Sequence, residues 1–300
     1  MFSTRVSRRA LIALLSVSLA RTAAAQQRVA PTPWDSVGTI LQSAPVPAAG
    51  YVRYNFPRRD ITLTVRDVTV NPAIALGAWL GFAGTPAASV VMGDLVLTGD
   101  ELAPALAELA RQGIDVTAIH NHVVGEPQIT YVHVHGAGTA VTLAEKFDKV
   151  LARTHTPRPV APAARAPVTI DTALVFRTLG IRGGASGAVA QLAVVIPTGR
   201  VTMHGMTIVP ALAYGTPINI QMVNAARYVA TGDFSILAEQ VQPVFRALAS
   251  HGITATAMHS HMIGETPKIY YIHFWADGTP RAVLSGLRAA LDAAHTRMPE

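Results

Sequence analysis

The chain has 300 residues, 50% hydrophobic and 14% charged, with no cysteine. That composition suits one large globular domain or two small ones and excludes collagen-like, coiled-coil and wholly disordered chains. Without cysteine there are no disulfides, zinc ribbons or thiol nucleophiles, so any metal must sit on His, Asp, Glu or backbone oxygen.

Residues 1–25 have the layout of a cleaved export signal: basic residues up to Arg9, an apolar run from Ala10 to Ala20, and Ala23-Ala24-Ala25 before Gln26. Ser7-Arg8-Arg9 followed by Ala10-Leu11-Ile12 resembles the twin-arginine type. Setting aside the four arginines of this stretch lowers the formal charge from +6 to +2. No basic run alternates with aromatics, so nucleic acid is not an expected partner. No later segment reaches about 18 uninterrupted apolar residues, so no transmembrane segment is expected after signal removal.

The remainder is a tandem duplication. Gly93-Asp94-Leu95-Val96-Leu97 returns as Gly232-Asp233-Phe234-Ser235-Ile236, and Gly113-Ile114-Asp115-Val116-Thr117-Ala118 returns as Gly252-Ile253-Thr254-Ala255-Thr256-Ala257, both shifted by 139 residues. The first repeat is expected over 34–154 and the second over 170–295. A Pro/Ala-rich linker, 155–169, joins them.

In the first repeat, strand candidates fall at 51–56, 61–70 and 89–97. A helix follows on Leu102, Leu106 and Leu109, with Thr98 and Glu101 as a capping box, Gly113 as its stop, and Pro104 arguing for a later start. Residues 116–122 and 129–135 alternate as two strands around Gly125-Glu126-Pro127, and Leu143, Phe147 and Leu151 make a closing helix. The second repeat has strands at 191–196, 201–209, 255–261 and 269–275, and helices on Val241, Phe245 and Leu248 and on Leu284, Leu287 and Leu291. The fold class is α+β: two tandem homologous units with antiparallel sheets and ferredoxin-like strand-helix-hairpin-helix cores.

Seven of the eleven histidines fall on the two hairpins: His120, His122, His133 and His135 in the first, and His259, His261 and His273 in the second. Side chains two apart on a strand share a face, so if His122 lies opposite His133, His120 lies opposite His135 and four imidazoles share a patch. Glu126 at the turn, and Glu265 in the second copy, stand as oxygen ligands. Such a set suits Zn²⁺, Cu²⁺, Ni²⁺, Mn²⁺ or Fe²⁺. The bland alternatives are cross-strand hydrogen bonding by the histidines and turn-stiffening by the glutamates. Tyr131, Tyr271 and Trp275, which replaces His135 in the second copy, are candidate pocket residues. Asp94 and Asp233 are weighed as turn residues ahead of a supporting role at the site. Asn121 and Ser260 point to the opposite face.

The Gly93-Asp94-Leu95-Val96-Leu97 and Gly113-Ile114 runs, His120-Asn121-His122, Gly125-Glu126 and Tyr131-Val132-His133, echoed by His259-Ser260-His261 and Ile272-His273-Phe274-Trp275, resemble the LppY/LpqO family. This is a bacterial domain-of-unknown-function family whose members often carry the domain twice. The resemblance covers most of 34–295 and implies an exported bacterial protein, periplasmic or secreted, without supplying an activity.

The expected function is binding of a divalent transition metal as a binding or sensing module, with a small molecule or envelope component as partner. One alternative is a metal-dependent hydrolase or isomerase of a small envelope substrate, with Glu126 as catalytic general base. The other is a metal-free glycan- or peptide-binding domain.

Overall fold

A strand that alternates apolar and polar side chains leaves two unlike faces, and each repeat covers its apolar face with helices. In a computed structural model that describes residues 33–160, 166–203 and 205–295, the first repeat runs α1 (Pro33–Leu41), β1 (Val46–Ala48), β2 (Tyr51–Pro57), β3 (Thr64–Val65), β4 (Val68–Thr69), α2 (Pro72–Ala75), β5 (Gly77–Thr85), β6 (Ala88–Leu97), α3 (Gly99–Gln112), β7 (Asp115–His120), β8 (Thr130–Gly138) and α4 (Ala140–Leu151). The second runs α5 (Thr172–Leu179), β9 (Gly183–Ser186), β10 (Val189–Val194), β11 (Thr202–Met203), β12 (Met206–Thr207), α6 (Pro210–Ala213), β13 (Thr216–Asn224), β14 (Arg227–Ile236), α7 (Ala238–Ser250), β15 (Thr254–His259), β16 (Glu265–Thr266), β17 (Tyr270–Gly278) and α8 (Pro280–His295). The export-signal stretch and linker residues 161–165 lie outside the described residues.

Each repeat builds a six-stranded antiparallel sheet, ordered β1-β2-β5-β6-β8-β7 in the first and β9-β10-β13-β14-β17-β15 in the second. The helix between β6 and β7 carries the chain past one strand position, which the hairpin return β8 then fills. This is the expected strand-helix-hairpin-helix core, and the chain is α+β.

On β8, Val132 and Val134 face the helices and join a core with Leu109, Leu143 and Phe147. On β17, Ile272 and Phe274 do the same with Leu248, Leu284 and Leu287. The alternate residues, Tyr131 and His133 in one copy and Tyr271 and His273 in the other, turn to the opposite face. Gly113 ends α3 in the left-handed region (φ 63°), where its N–H reaches the Leu109 and Ala110 carbonyls.

Three local expectations are corrected. Residues 61–70 and 201–209 form pairs of two-residue strands rather than single long ones, the first turning at Arg66 with φ 55°. Helix α3 starts at Gly99 despite Pro104: the proline and Asp100, whose carbonyl loses its helical partner, are both exposed to water. Phe245 is 46% exposed, and α7 buries Val241, Val244 and Leu248 instead.

Candidate metal centre

The hairpin register places the histidines differently from the expected pairing. His120 lies opposite Tyr131, and Ala118 opposite His133. His122 has left the ladder, because residues beyond His120 travel to β3, where Glu126 and Thr64 exchange backbone hydrogen bonds of 2.9 and 2.8 Å. The second copy repeats the arrangement, with His259 opposite Tyr271 and Ala257 opposite His273.

Each hairpin therefore contributes three imidazoles, and the two triplets meet. His120 stacks on His259 with ring centroids 3.6 Å apart and His122 on His273 at 3.9 Å, while His133 meets His261 at 3.7 Å with the rings tilted by 30°. Because His122 corresponds to His261 and His133 to His273, the last two contacts are one contact seen from each side, the reciprocity of a pseudo-twofold interface. Strand–loop bonds tie the halves: the Asn121 side chain donates to the Thr256 carbonyl at 3.0 Å, and the Thr256 hydroxyl donates to the His122 carbonyl at 2.5 Å. Farther out, Arg227 clamps Asp67 of the first repeat through two bonds of 2.6 and 2.8 Å.

The ring nitrogens divide into two kinds. Nδ1 of His273 contacts the Gly232 carbonyl at 3.1 Å, His133 bonds the Gly93 carbonyl, and Nδ1 of His120 and His259 contact the Asn121 and Ser260 carbonyls at 3.3 Å. A carbonyl only accepts, so this pattern assigns the proton to Nδ1 and leaves Nε2 as a lone pair. Among the described residues, Nε2 of His120, His122, His133, His259, His261 and His273 is buried and has no hydrogen-bond partner.

One ring nitrogen each of His120, His133, His259 and His261 lies within 4.8 Å of the others, as do those of His120, His122 and His273. Burial, reinforced for most of the rings by the neighbouring imidazoles, keeps them neutral. His120 is lowered to about 3 and His259 to about 4, and His122, His133, His261 and His273 fall well below 6.5. The neutral ring is the metal-ligating form.

Asp94 and Asp233 flank the cluster. Asp94 Oδ2 stands 3.4 Å from His122 Nε2 and 4.0 Å from His133 Nε2, and Asp233 Oδ2 stands 4.0 Å from His273 Nε2. Both carboxyls are buried inside strands β6 and β14, which corrects their assignment to turns. Burial, with Asp233's charge acting on Asp94, holds both well above the usual carboxylate range. The preceding glycines let the neighbouring strands approach closely: a Cβ on Gly93 would stand 2.4 Å from the Trp79 carbonyl oxygen, and one on Gly232 2.0 Å from that of Pro217. The recurring Gly-Asp pair was thus the signal in the sequence.

The other expected site residues take different places. Glu126 is exposed at its bridge to Thr64. Glu265 is buried but accepts from Ser260 Oγ at 3.2 Å and the Ile269 N–H at 3.3 Å, and pairs with Lys268 at 3.1 Å. Neither joins any of the histidine groups. His135 Nδ1 lies 3.5 Å from Asp115 Oδ2, outside those groups. Trp275 is 4% exposed in the core. Tyr131 and Tyr271 stack on His122 and His261 at 3.5 and 3.4 Å, and their hydroxyls donate to the Ala75 and Ala213 carbonyls. They position the rings.

A cavity of about 700 Å³ runs between the repeats and reaches His122, His133, His261, His273, Asp94 and Asp233. Its walls also carry Arg53, Asn55, Trp79 and Arg182. Among the described residues no helix is long and apolar enough to cross a membrane.

A family model described as Domain of Unknown Function (DUF1259) matches residues 35–153 and again 173–293. No curated protein matches the chain. Among solved structures, a trimeric bacterial microcompartment shell protein, PduB, is similar at 12% identity and a TM-score of 0.21, covering 83% of this chain and 90% of that one. A fused permuted hexameric shell protein of the RMM microcompartment is similar at 11% identity and a TM-score of 0.17, covering 70% and 84%. EtuB from Clostridium kluyveri is similar at 13% identity and a TM-score of 0.19, covering 83% and 89%. Superpositions this poor carry no argument about fold or function.

Proposed function

We propose, for a chain that belongs to the Domain of Unknown Function (DUF1259) family and carries its domain twice, that the two repeats jointly bind a divalent transition metal on His120, His122, His133, His259, His261 and His273. One observation carries this reading: six buried imidazole nitrogens with no hydrogen-bond partner fall into two groups, of four and of three, that share His120. Buried polar atoms are almost always bonded. The four rings whose Nδ1 faces a carbonyl turn Nε2 lone pairs toward one another with no donor among them, and a cation satisfies several at once. Backbone carbonyls behind the rings fit the same reading, since metal-binding histidines commonly anchor the other ring N–H in this way.

A nitrogen-rich set with nearby carboxylates suits Zn²⁺, Cu²⁺, Ni²⁺ or Fe²⁺, and Mn²⁺ less well. The site belongs to the pair of repeats, so a single repeat has half a ligand set. We read the family as the LppY/LpqO family that the motifs resemble, and residues 1–25 as its export signal, which assigns the mature chain to the bacterial periplasm or exterior.

The cavity favours a second reading, metal-assisted chemistry on a small molecule. Asp94 and Asp233, buried and pushed well above the usual carboxylate range, would then take the proton-transfer role first considered for Glu126. A metal-free glycan site loses support, because Tyr131, Tyr271 and Trp275 are buried at 1%, 0% and 4% exposure and present no open aromatic face.

Competition titration of residues 26–300 with Zn²⁺, Cu²⁺, Ni²⁺, Mn²⁺ and Fe²⁺ against a chromogenic chelator tests the proposal. Tight uptake of at least one metal, lost in His122→Ala/His261→Ala, supports it; equal affinity in the variant, or no uptake by the parent chain, refutes it.

A further inference from the structure

The cavity wall holds a cation that the metal centre does not use. Arg53, on β2, is half-buried; its guanidinium lies 4.1 Å over the Trp79 ring and its Nε donates to Asn55 Oδ1 at 2.7 Å. Its contacts are an aromatic face and neutral polar groups, and among the described residues it makes no ion pair. The other buried arginine of this repeat, Arg58, is matched by both Asp60 and Glu101 at 2.8 Å. The Tyr51 side chain also hydrogen-bonds Arg53, and Asp94 acts on it electrostatically without forming an ion pair. A divalent ion in the cluster would cancel Asp94 and Asp233 even with both ionised, leaving Arg53 unmatched. A partly desolvated cation lining a cavity is a site for an anion.

The duplication makes this site one-sided. The position of Arg53 is taken in the second repeat by Gln191, whose amide is already spent on the Ala73 carbonyl at 2.8 Å, and Trp79 gives way to Pro217. The histidine cluster is nearly symmetric, whereas the cavity that reaches it carries the Arg53–Trp79 pair on the first repeat's side only, with Arg182 as the cation of the second repeat's side. A ligand whose anionic end takes Arg53 shares the cavity with His122, His133, His261 and His273.

We propose that the cavity between the repeats binds a small organic carboxylate, with Arg53 on Trp79 as the carboxylate anchor and the histidine cluster as the second point of attachment. The flat guanidinium, held by its aromatic neighbour and Asn55, suits a planar two-oxygen group. The second attachment rests on the metal reading; the Arg53 anchor does not.

The test is calorimetric titration of acetate, lactate, malate and citrate, with glycerol as the uncharged comparison, into residues 26–300 in metal-loaded and chelator-stripped form. At least one carboxylate should bind the loaded chain, and Arg53→Gln should weaken it about tenfold or more while leaving metal uptake unchanged. Glutamine is the residue the second repeat holds at this place, so the fold accepts it. Arg53→Lys, which keeps the charge and loses the fork, should fall between. Carboxylates binding no better than glycerol, or binding Arg53→Gln as tightly as the parent, would overturn the proposal. Carboxylate binding that needs Arg53 in a chain taking up no metal would uphold the anchor and refute the metal reading.

Discussion

His120 and His259 stack with ring centroids 3.6 Å apart and planes 24° apart, each the counterpart of the other across the two repeats. A residue meeting its own duplicate marks a pseudo-twofold axis, and here that axis passes through imidazoles. The duplication thus does more than double a domain: it brings two incomplete triplets together. Several expectations about substitutions follow from that arrangement.

The flanking carboxyls should tune the metal rather than build the fold. Asp94→Asn keeps the shape of the side chain beside His122 and His133 but removes its ionisable oxygen. Metal affinity should fall about 10–100-fold, the size typical of groups supporting a metal ligand. Asp233→Asn should behave alike. Chelator competition checks this, and unchanged affinity in both variants would remove the carboxyls from the site.

The two turn glutamates should part company. Glu126→Gln, at an exposed position, should leave both metal affinity and stability as they were. Glu265→Gln weakens buried contacts to Ser260, Lys268 and the Ile269 N–H and should lower stability by about 1–3 kcal/mol. Urea denaturation separates the outcomes, and metal loss in Glu126→Gln would restore that residue as a ligand.

A charge pair beneath the first repeat sets another test. Arg58 and Glu101 are 1% and 2% exposed and 2.8 Å apart, while the second repeat has Ile196 and Gln240 at the same places. Glu101→Gln alone leaves Arg58 underpaired and should destabilise by about 3 kcal/mol. Adding Arg58→Ile, which completes the neutral version found in the second copy, should recover much of the loss. A double-mutant cycle by denaturation reads the coupling.

Acid should weaken the metal-free chain. The six histidines are lowered in the fold, to about 3 for His120 and about 4 for His259, from 6.5 in the unfolded chain. Below pH 6.5 the unfolded chain takes up protons that the fold refuses, so their contribution is fully present above 6.5 and is lost as pH falls toward the folded values. Asp94 and Asp233, raised from 3.8, act with the opposite sign but are outnumbered. Urea midpoints should drop between pH 7.5 and 5 and flatten in His120→Ala/His259→Ala; a pH-independent midpoint in the parent would contradict the neutral cluster.

Much of this was legible in the residues. The repeat shift of 139, the helix between β6 and β7, and the hairpin on which His120 and His133 sit all follow from spacing and periodicity. What spacing cannot give is the meeting of two repeats. Each hairpin was read alone, so His135 and Glu126 were grouped with His120, His122 and His133, whereas the rings that meet those three come from His259, His261 and His273 across the interface. The register slipped for a related reason: Thr64 draws Glu126 into a bridge, and a contact 62 residues back along the chain leaves no mark on the local pattern. Asp94 read as a turn residue because Gly-Asp favours turns, whereas Gly93 serves the close approach of Trp79 in a continuous strand.

The most direct test is the metal content of His259→Ala, measured by elemental analysis beside the parent chain, both as residues 26–300 equilibrated with the best-bound metal. The shared centre predicts that this one change, confined to the second repeat, strips metal from the whole protein. A variant that keeps half of the parent's metal, held by the first repeat alone, would contradict a site built by both.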